Sequence, residues 1–321
     1  MHPSIAVVVT CYNKGPWIDG ALASLAAQTT AAREIVVVDD GSTDDSVART
    51  AAFAAAHPAL PLRILRQPNS GQPAHARNAG IATVTSEVVI CLDADDTLSP
   101  LYLDAVGHAF AADPSLGLVY PDGIAFGTGA PRAWQSQAWD AARLAQTNLC
   151  PCVTAFRRRI WASVGGYRAN VRGYEDWDFW IAAGALGERG LRLPLPLFHY
   201  RELESGVYAS THARDLLLRA SIVTNNPGCY GATTRALAAA IAAGAPFDAM
   251  AVWGSLDEIL RTGCATAAHA AAREELAWAA GHVAAGTAAA TLATLQRQAP
   301  MDAATARCVG ALLHVGGDTA R

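Results

Sequence analysis

A chain of 321 residues that is 52% hydrophobic and 16% charged is long enough for two domains and too apolar for a disordered polymer, which needs low hydrophobicity and high net charge. Its formal charge of −4 offers no basic face, so a nucleic-acid partner is not expected. Lys14 is the sole lysine, and arginine and alanine are used heavily elsewhere, which reads first as coding bias.

The first hundred residues alternate two patterns. Residues 5–10 (IAVVVT) form a β-branched run suited to a buried parallel strand, and 16–27 follow with apolar residues at helical spacing and Pro16 in the first turn. Residues 34–39 predict a second strand, and 43–56 a helix with Ser42 or Thr43 as its cap and Asp44 and Asp45 in its first turn. Residues 62–65, 73–84 and 88–92 read as strand, helix and strand. This βαβαβαβ order implies a mostly parallel, Rossmann-like sheet flanked by helices, the α/β class. A helix over about 100–112 and a strand over 116–120 come next. Residues 123–150, rich in Gly, Pro and Trp, show no period and read as a long functional loop. A helix near 158–163, a Gly165-Gly166 turn, a helix over 176–186 and a strand-like segment at 197–201 complete a first domain, 1–212.

From residue 213 to 321 the chain becomes Ala-rich, with helical spacing and few β-branched runs, and predicts an all-α C-terminal extension. Seven basic and seven acidic residues cancel from 216 onward, so the whole net negative charge falls earlier in the chain. These helices offer a homodimer face, a lid or a docking surface. The seven cysteines fit no disulfide framework, so Cys150 and Cys152 are expected as buried free thiols. No basic leader precedes Ile5 and no stretch of about 18 strongly apolar residues occurs. The expected location is therefore the cytoplasm, at most peripheral to the inner membrane face, with no transmembrane segment.

In open α/β sheets, ligands bind beyond the carboxyl ends of the strands. Three polar clusters lie there: Thr10-Cys11-Tyr12-Asn13-Lys14, Asp39-Asp40-Gly41-Ser42 and Asp93-Ala94-Asp95-Asp96. Three carboxylates within four residues repel unless a cation or donors neutralise them, and oxygen ligands suit Mg2+ or Mn2+. The alternative is a helix cap at Asp96 or Thr97. Asp39 reads either as a turn residue or as an acceptor for a base or ribose. Neither a G-x-G-x-x-G nor a G-x-x-x-x-G-K-[ST] motif follows any strand, so a nucleotide would be held another way, through a metal on its diphosphate. The loop Asn69 to Gly80, with Gly71 and Arg77, suits phosphate contact or pairing with the acidic cluster. Glu175 and Asp176 open a helix beside Trp177 and Trp180, which suits a carboxylate tuned for proton abstraction or simple helix-dipole placement. Adjacent helical residues point about 100° apart, so the two cannot aim at one atom. His199 reads as a structural residue or a ligand.

These residues together resemble the family-2 inverting glycosyltransferases of GT-A fold. The stretch 5–45 is similar to the family's opening strand with T-x-Y-N and V-D-D-G-S, and 69–96 to its N-x-G-x-x-x-A-R-N-x-G loop and D-x-D motif. Residues 173–180 are similar to its E-D-W-D segment and 197–201 to its closing aromatic-Tyr-Arg strand. The resemblance covers about residues 4–210. It implies a hexosyltransferase-type enzyme that moves a sugar from a nucleotide-diphosphate sugar, a UDP-sugar first, to an acceptor hydroxyl of a glycan, lipid-linked or small-molecule acceptor. It implies donor contacts from Thr10, Tyr12, Asn13, Asp39, Asp40, Gly71, Arg77 and Asp93, and a Mn2+ or Mg2+ site from Asp93, Asp95, Asp96 and His199. Asp176 would be the general base, with Glu175 supporting the acceptor. Many enzymes of that fold place a metal-binding histidine just past the Tyr-Arg pair, where this sequence reads Glu202-Leu203-Glu204, with His199 and His212 as the nearby candidates. Two other activities fit the same architecture: a sugar-nucleotide nucleotidyltransferase, for which Lys14-Gly15 is a poor phosphate loop, and a non-catalytic sugar-binding protein.

Overall fold

The structure, a computed structural model, describes residues 2–203 and 214–231 and isolated positions from 235 to 242. It divides into two compact units, Met1–His212 and Ala213–Arg321. In the first, β1 (Ile5–Cys11), β2 (Glu34–Asp39), β3 (Leu62–Arg66) and β4 (Val88–Asp93) alternate with α1 (Gly15–Ala26), α2 (Ser46–Ala56) and α3 (Pro73–Ala82). Then come β5 (Thr97–Leu98), α4 (Tyr102–Ala112), β6 (Leu116–Gly127), β7 (Gly129–Trp134) and α5 (Ala141–Leu144). The unit closes with β8 (Ala155–Arg157), α6 (Arg158–Val164), α7 (Glu175–Ala185) and β9 (Arg189–Arg201). In the second unit the described helix is α8 (Asp215–Asn225). The rest of the expected helical extension, with its homodimer face, lies outside the described residues. No helix among the described residues is long and apolar enough to cross a membrane.

The strands form one sheet in the order β3-β2-β1-β4-β8-β6-β9-β5, with β7 paired to β6. β1 to β4 run parallel, and β6 and β9 run parallel to each other, whereas β8, β5 and β7 are antiparallel to their neighbours. Burial on both faces explains the continuous β-branched runs of β1, β2 and β4. Helix α1 buries Ile18, Ala21, Leu22 and Leu25, an apolar stripe at helical spacing. Helix α3 approaches the sheet so closely that a Cβ on Gly80 would lie 2.4 Å from Cγ1 of Val8 and 2.8 Å from Cγ2 of Val38. Gly80→Ala is therefore expected to cost about 1–3 kcal/mol by overpacking, read as a lower denaturation midpoint.

Four elements differ from their sequence-based expectations. The expected loop over 123–150 contains the second half of β6, the strand β7 and the short helix α5. The strand signal is hidden because Pro121 lies inside β6 where the register shifts, and because β7 is exposed along nearly all its length and shows no alternation. β9 begins at Arg189, eight residues before the expected strand, with Pro194 and Pro196 within it. Asp96 and Thr97 do not cap a helix; Thr97 and Leu98 pair with His199 and Phe198. Ser42 and Thr43 do not cap α2 either. Asp44 accepts instead from Ser46 N at 3.0 Å and from Gly15 N at 2.9 Å, tying the starts of α1 and α2 together.

Candidate active site

Sheet register delivers the site. At the carboxyl ends of the parallel strands, Asp39 pairs with Arg66 on one side and Cys11 on the other, and Thr10 pairs with Asp93. The three polar clusters that follow β1, β2 and β4 thus meet along one edge.

The two carboxylates after β2 do different things. Asp40 is buried, and both its oxygens are used: Gln67 Nε2 donates at 2.5 Å, Ser70 N at 3.1 Å and Ser70 Oγ at 2.9 Å. It therefore fixes the loop that leads to Gly71. Asp39 is equally buried, yet Oδ1 accepts only from Ser42 N at 3.2 Å, and Oδ2 has no hydrogen-bond partner, with Arg66 Nε 3.6 Å away. The turn that follows them needs Gly41, which has φ +76° and would place a Cβ 2.5 Å from Asn69 N. Asn13, at φ 51°, accepts from Thr43 N at 2.8 Å, so its side chain shapes the loop as well. Tyr12 beside it is 47% exposed. Gly71 is exposed with φ +67° and donates its N–H to Asn69 Oδ1 at 2.8 Å.

Arg77 is the centre of the site. Its side chain is 4% exposed. Nη2 donates to Asp93 Oδ1 and Oδ2 at 3.2 and 3.3 Å, and Nη1 donates to Glu175 Oε1 at 2.8 Å. Thr10 Oγ1 donates to Asp93 Oδ1 at 2.5 Å. Burial pushes the Asp93 carboxyl up, but the Arg77 charge and the Thr10 hydrogen bond outweigh it and hold the group below the usual range. Helix α3 aims Arg77 correctly because the next residue, Asn78, is locked. Its Oδ1 accepts from Trp161 Nε1 and Tyr167 N, both at 2.8 Å, and its Nδ2 donates to Tyr167 O at 2.8 Å.

The acidic cluster separates into three environments. Asp95 pairs with Lys14. Asp96 is 1% exposed, and Oδ1 accepts from Arg201 N at 2.7 Å while Oδ2 has no partner. Burial and the charges of Asp93 and Asp95 push Asp96 well above the usual carboxylate range. Asp93, Asp96 and Cys152 each place one ligand atom within 4.8 Å of the others. His199 is not in this group. It sits on β9 with Nδ1 3.4 Å from Thr97 Oγ1, and burial lowers its pKa. His212 lies outside the described residues.

Glu175 and Asp176 diverge, as helix geometry requires. Glu175 is buried, holds Arg77 and accepts from Gly173 N at 2.5 Å. Asp176 is half-buried. Oδ1 accepts from Trp177 N at 2.8 Å and Oδ2 lies 3.4 Å from Nδ2 of exposed Asn148. Burial and the neighbouring Glu175 charge raise its pKa to about 6, against the lowering effect of Arg77. Asn148 and Cys152 lie beside these groups and no motif marked them, whereas Lys14 and Arg201 belong to the strand-end cluster and the closing Tyr-Arg segment.

Comparison with known proteins agrees with this geometry. Glycosyl transferase family 2 matches residues 6–163. A PGL/p-HBAD biosynthesis glycosyltransferase of Mycobacterium tuberculosis is 32% identical over 181 residues, 55% of this chain and 68% of that protein. The chain belongs to glycosyl transferase family 2. An uncharacterised family relative, the glycosyltransferase YwdF of Bacillus subtilis, is 28% identical over 213 residues, covering 63% of this chain and 75% of its own. Against the O-antigen biosynthesis protein RfbC of Myxococcus xanthus, 30% identical over 204 residues, the match takes 63% of this glycosyltransferase but only 16% of RfbC. Among solved structures, S. aureus TarS in complex with UDP-GlcNAc superposes with a TM-score of 0.58 at 21% identity, covering 74% of this chain and 71% of that one. The mannosyltransferase PcManGT of Pyrobaculum calidifontis, in complex with GDP-Man and Mn2+, gives 0.55 at 22% identity, covering 100% of this chain and 81% of its own. The fold of this glycosyltransferase is thus the mixed α/β GT-A fold.

Proposed function

We propose that this family 2 glycosyltransferase is an inverting, divalent-metal-dependent hexosyltransferase that uses a UDP-sugar and an acceptor hydroxyl. The observation that carries the reading is the buried chain of charge from Asp93 through Arg77 to Glu175 and Asp176, which joins a nucleotide edge to a carboxylate with a pKa of about 6. Asp176 takes the acceptor proton as the hydroxyl oxygen attacks the anomeric carbon from the face opposite the leaving diphosphate, which inverts the centre. A base with that pKa is mostly ionised at pH 7 yet still basic enough to accept the proton.

At the other end, Asp39 Oδ2 is buried without a hydrogen-bond donor, with Arg66 Nε 3.6 Å away, and Tyr12 is exposed at the end of the neighbouring strand β1. Uracil offers one imide N–H, which Asp39 Oδ2 can accept; guanine presents an N–H and an amino group side by side, and Asp39 Oδ1 already serves Ser42. This favours a uridine donor. Asp93, Asp95 and Asp96 are the carboxylates that would hold Mn2+ or Mg2+, and the buried Asp96 oxygen without a donor suits a cation ligand. Such an ion supplies charge neutralisation for the departing diphosphate. Lys14, at the same edge, holds Asp95 and adds a second positive charge there.

Incubation of the full chain with Mn2+ and a panel of nucleotide sugars, with nucleotide release as the readout, tests the reading. UDP release that is stopped by a chelator is expected; release of a different nucleotide, or none with any donor and acceptor, would overturn it. Product NMR decides inversion. A further expected result is an acid limb in kcat/KM at about pH 6, because protonated Asp176 cannot act as a base. A rate that stays flat down to pH 4.5 would remove Asp176 from that role.

A further inference from the structure

We propose that Asn148 is the positioning residue of the base: its side-chain amide donates to Asp176 Oδ2 and leaves that oxygen one lone pair for the acceptor proton. The proposal rests on the reading of Asp176 as the base and adds to it a residue from outside α7 that aims the carboxylate.

Three observations converge. The first is how Asp176 divides its oxygens. Oδ1 accepts from Trp177 N at 2.8 Å, within its own helix, whereas Oδ2 accepts, among the described residues, from Asn148 Nδ2 at 3.4 Å. A carboxylate oxygen can accept twice, so Oδ2 keeps a lone pair for a hydroxyl proton. The second is the orientation of the amide. Asn148 Oδ1 accepts from Cys150 N at 3.3 Å, which leaves Nδ2 as the end that meets Asp176. The third is anchorage. Asn148 is exposed, yet the segment around it is held on both sides. Asp140 caps α5 through Ala142 N and Arg143 N, the buried Leu144 accepts through its carbonyl from Trp177 Nε1 at 2.7 Å, and Leu149 and Cys150 are buried. The tryptophan that holds the segment is the neighbour of the base, so α7 fixes amide and carboxylate together.

The acceptor hydroxyl gives its proton to Oδ2 while its oxygen bonds the anomeric carbon, and the diphosphate leaves with the electron pair of the broken bond. A donor on Oδ2 favours the ionised carboxylate, so the base is charged when the acceptor arrives. At 3.4 Å the bond is long for an N–H donor, as catalytic hydrogen bonds often are before substrate binds. The other groups that face Asp176 are Glu175 on its own helix, which opposes ionisation, Arg77 on α3, which favours it, and the Cys150 and Cys152 thiols and the Tyr167 phenol.

The test titrates the Asp176 carboxyl of the full chain by carbon-13 NMR of aspartate-labelled protein, taking the signal absent from Asp176→Asn; it needs no substrate. Asn148→Ala removes the donor. Asn148→Asp keeps an oxygen for Cys150 N but turns the donor into an ionised acceptor. The midpoint is expected to rise by about half a pH unit in Asn148→Ala and by about one unit or more in Asn148→Asp, with the plateau of kcat/KM for UDP release lowered about tenfold in both and UDP affinity kept within about twofold. A midpoint unmoved in Asn148→Ala, or a plateau unchanged in both variants, overturns the proposal. So does a midpoint that rises in Asn148→Ala but not in Asn148→Asp, which would make the loop bond to Cys150 the sole role of the residue. A midpoint that moves while the acid limb of UDP release does not removes Asp176 from the base role, and the reading beneath this proposal fails with it.

Discussion

Asp176→Asn is expected to lower sugar transfer by about 10²–10⁴-fold, leave nucleotide-sugar affinity within a factor of about three, and raise the stability of the folded protein at neutral pH. The first effect follows from removing the proton acceptor; an amide keeps the shape and much of the hydrogen bonding of the carboxylate but has no basicity. The second follows from position. Asp176 contacts Trp177 N and Asn148, and no hydrogen bond or ion pair joins it to Thr10, Asp39 or Asp93 among the described residues. The third follows from its raised pKa. Folding holds the carboxyl at about 6, above the ~3.9 of an unfolded chain, so folding favours the protonated form. Stability contributed by the protonated group is complete below pH 4, is lost as the pH rises through 6, and is absent at pH 7. The neutral amide avoids that loss, a gain on the order of 1–3 kcal/mol. The groups around it are Glu175 and Arg77, with the neutral thiols of Cys150 and Cys152 and the Tyr167 phenol nearby. Isothermal titration with a nucleotide sugar, a thermal melt at pH 5 and pH 7.5 and a transfer assay separate the three effects. Reduced donor affinity would assign Asp176 to the donor, and equal melting shifts at both pH values would show that its charge is not strained.

The strand ends were legible because parallel strands bring all their carboxyl ends to one edge of the sheet: once β1, β2 and β4 are recognised from their β-branched runs, Thr10, Asp39 and Asp93 fall on that edge. What the sequence concealed is how two adjacent carboxylates divide their partners. Asp39 and Asp40 are both buried and both follow β2; only the side-chain partners from the 67–70 loop show that Asp40 is spent on structure. The same holds for Glu175 and Asp176, where helix geometry predicted divergence but not which residue turns inward to Arg77. Cys152 was unreadable for a different reason. It arrives from a segment where β6 is interrupted at Pro121 and β7 is exposed on both faces, so neither periodicity nor spacing placed it beside Asp93. The second unit stayed opaque because its charges cancel and its small residues specify no chemistry.

Arg77 is where fold and chemistry cannot be separated, and its replacement is expected to produce the largest single effect on stability. Arg77→Met leaves Asp93 and Glu175 facing each other without the cation between them. Breaking a buried pair on one side costs about 3–5 kcal/mol, a large part of the roughly 5–15 kcal/mol that holds a domain folded. The guanidinium spans the two acids with separate nitrogens, Nη1 on Glu175 and Nη2 on Asp93, at 2.8 and 3.2 Å. A lysine has one nitrogen and cannot reach both in that fork geometry. Arg77→Lys is therefore expected to fold, with a melting point below wild type, and to show an acid limb in kcat/KM displaced above pH 6, because the positive charge that lowers Asp176 moves away from Glu175. Arg77→Met combined with Glu175→Gln removes one of the stranded charges along with the cation and should recover more than half of the stability lost in Arg77→Met alone. Additive losses in that double variant would mean that the ion pair contributes nothing beyond packing. An acid limb that stays at the wild-type pH in Arg77→Lys would sever Arg77 from the base and confine it to the donor edge.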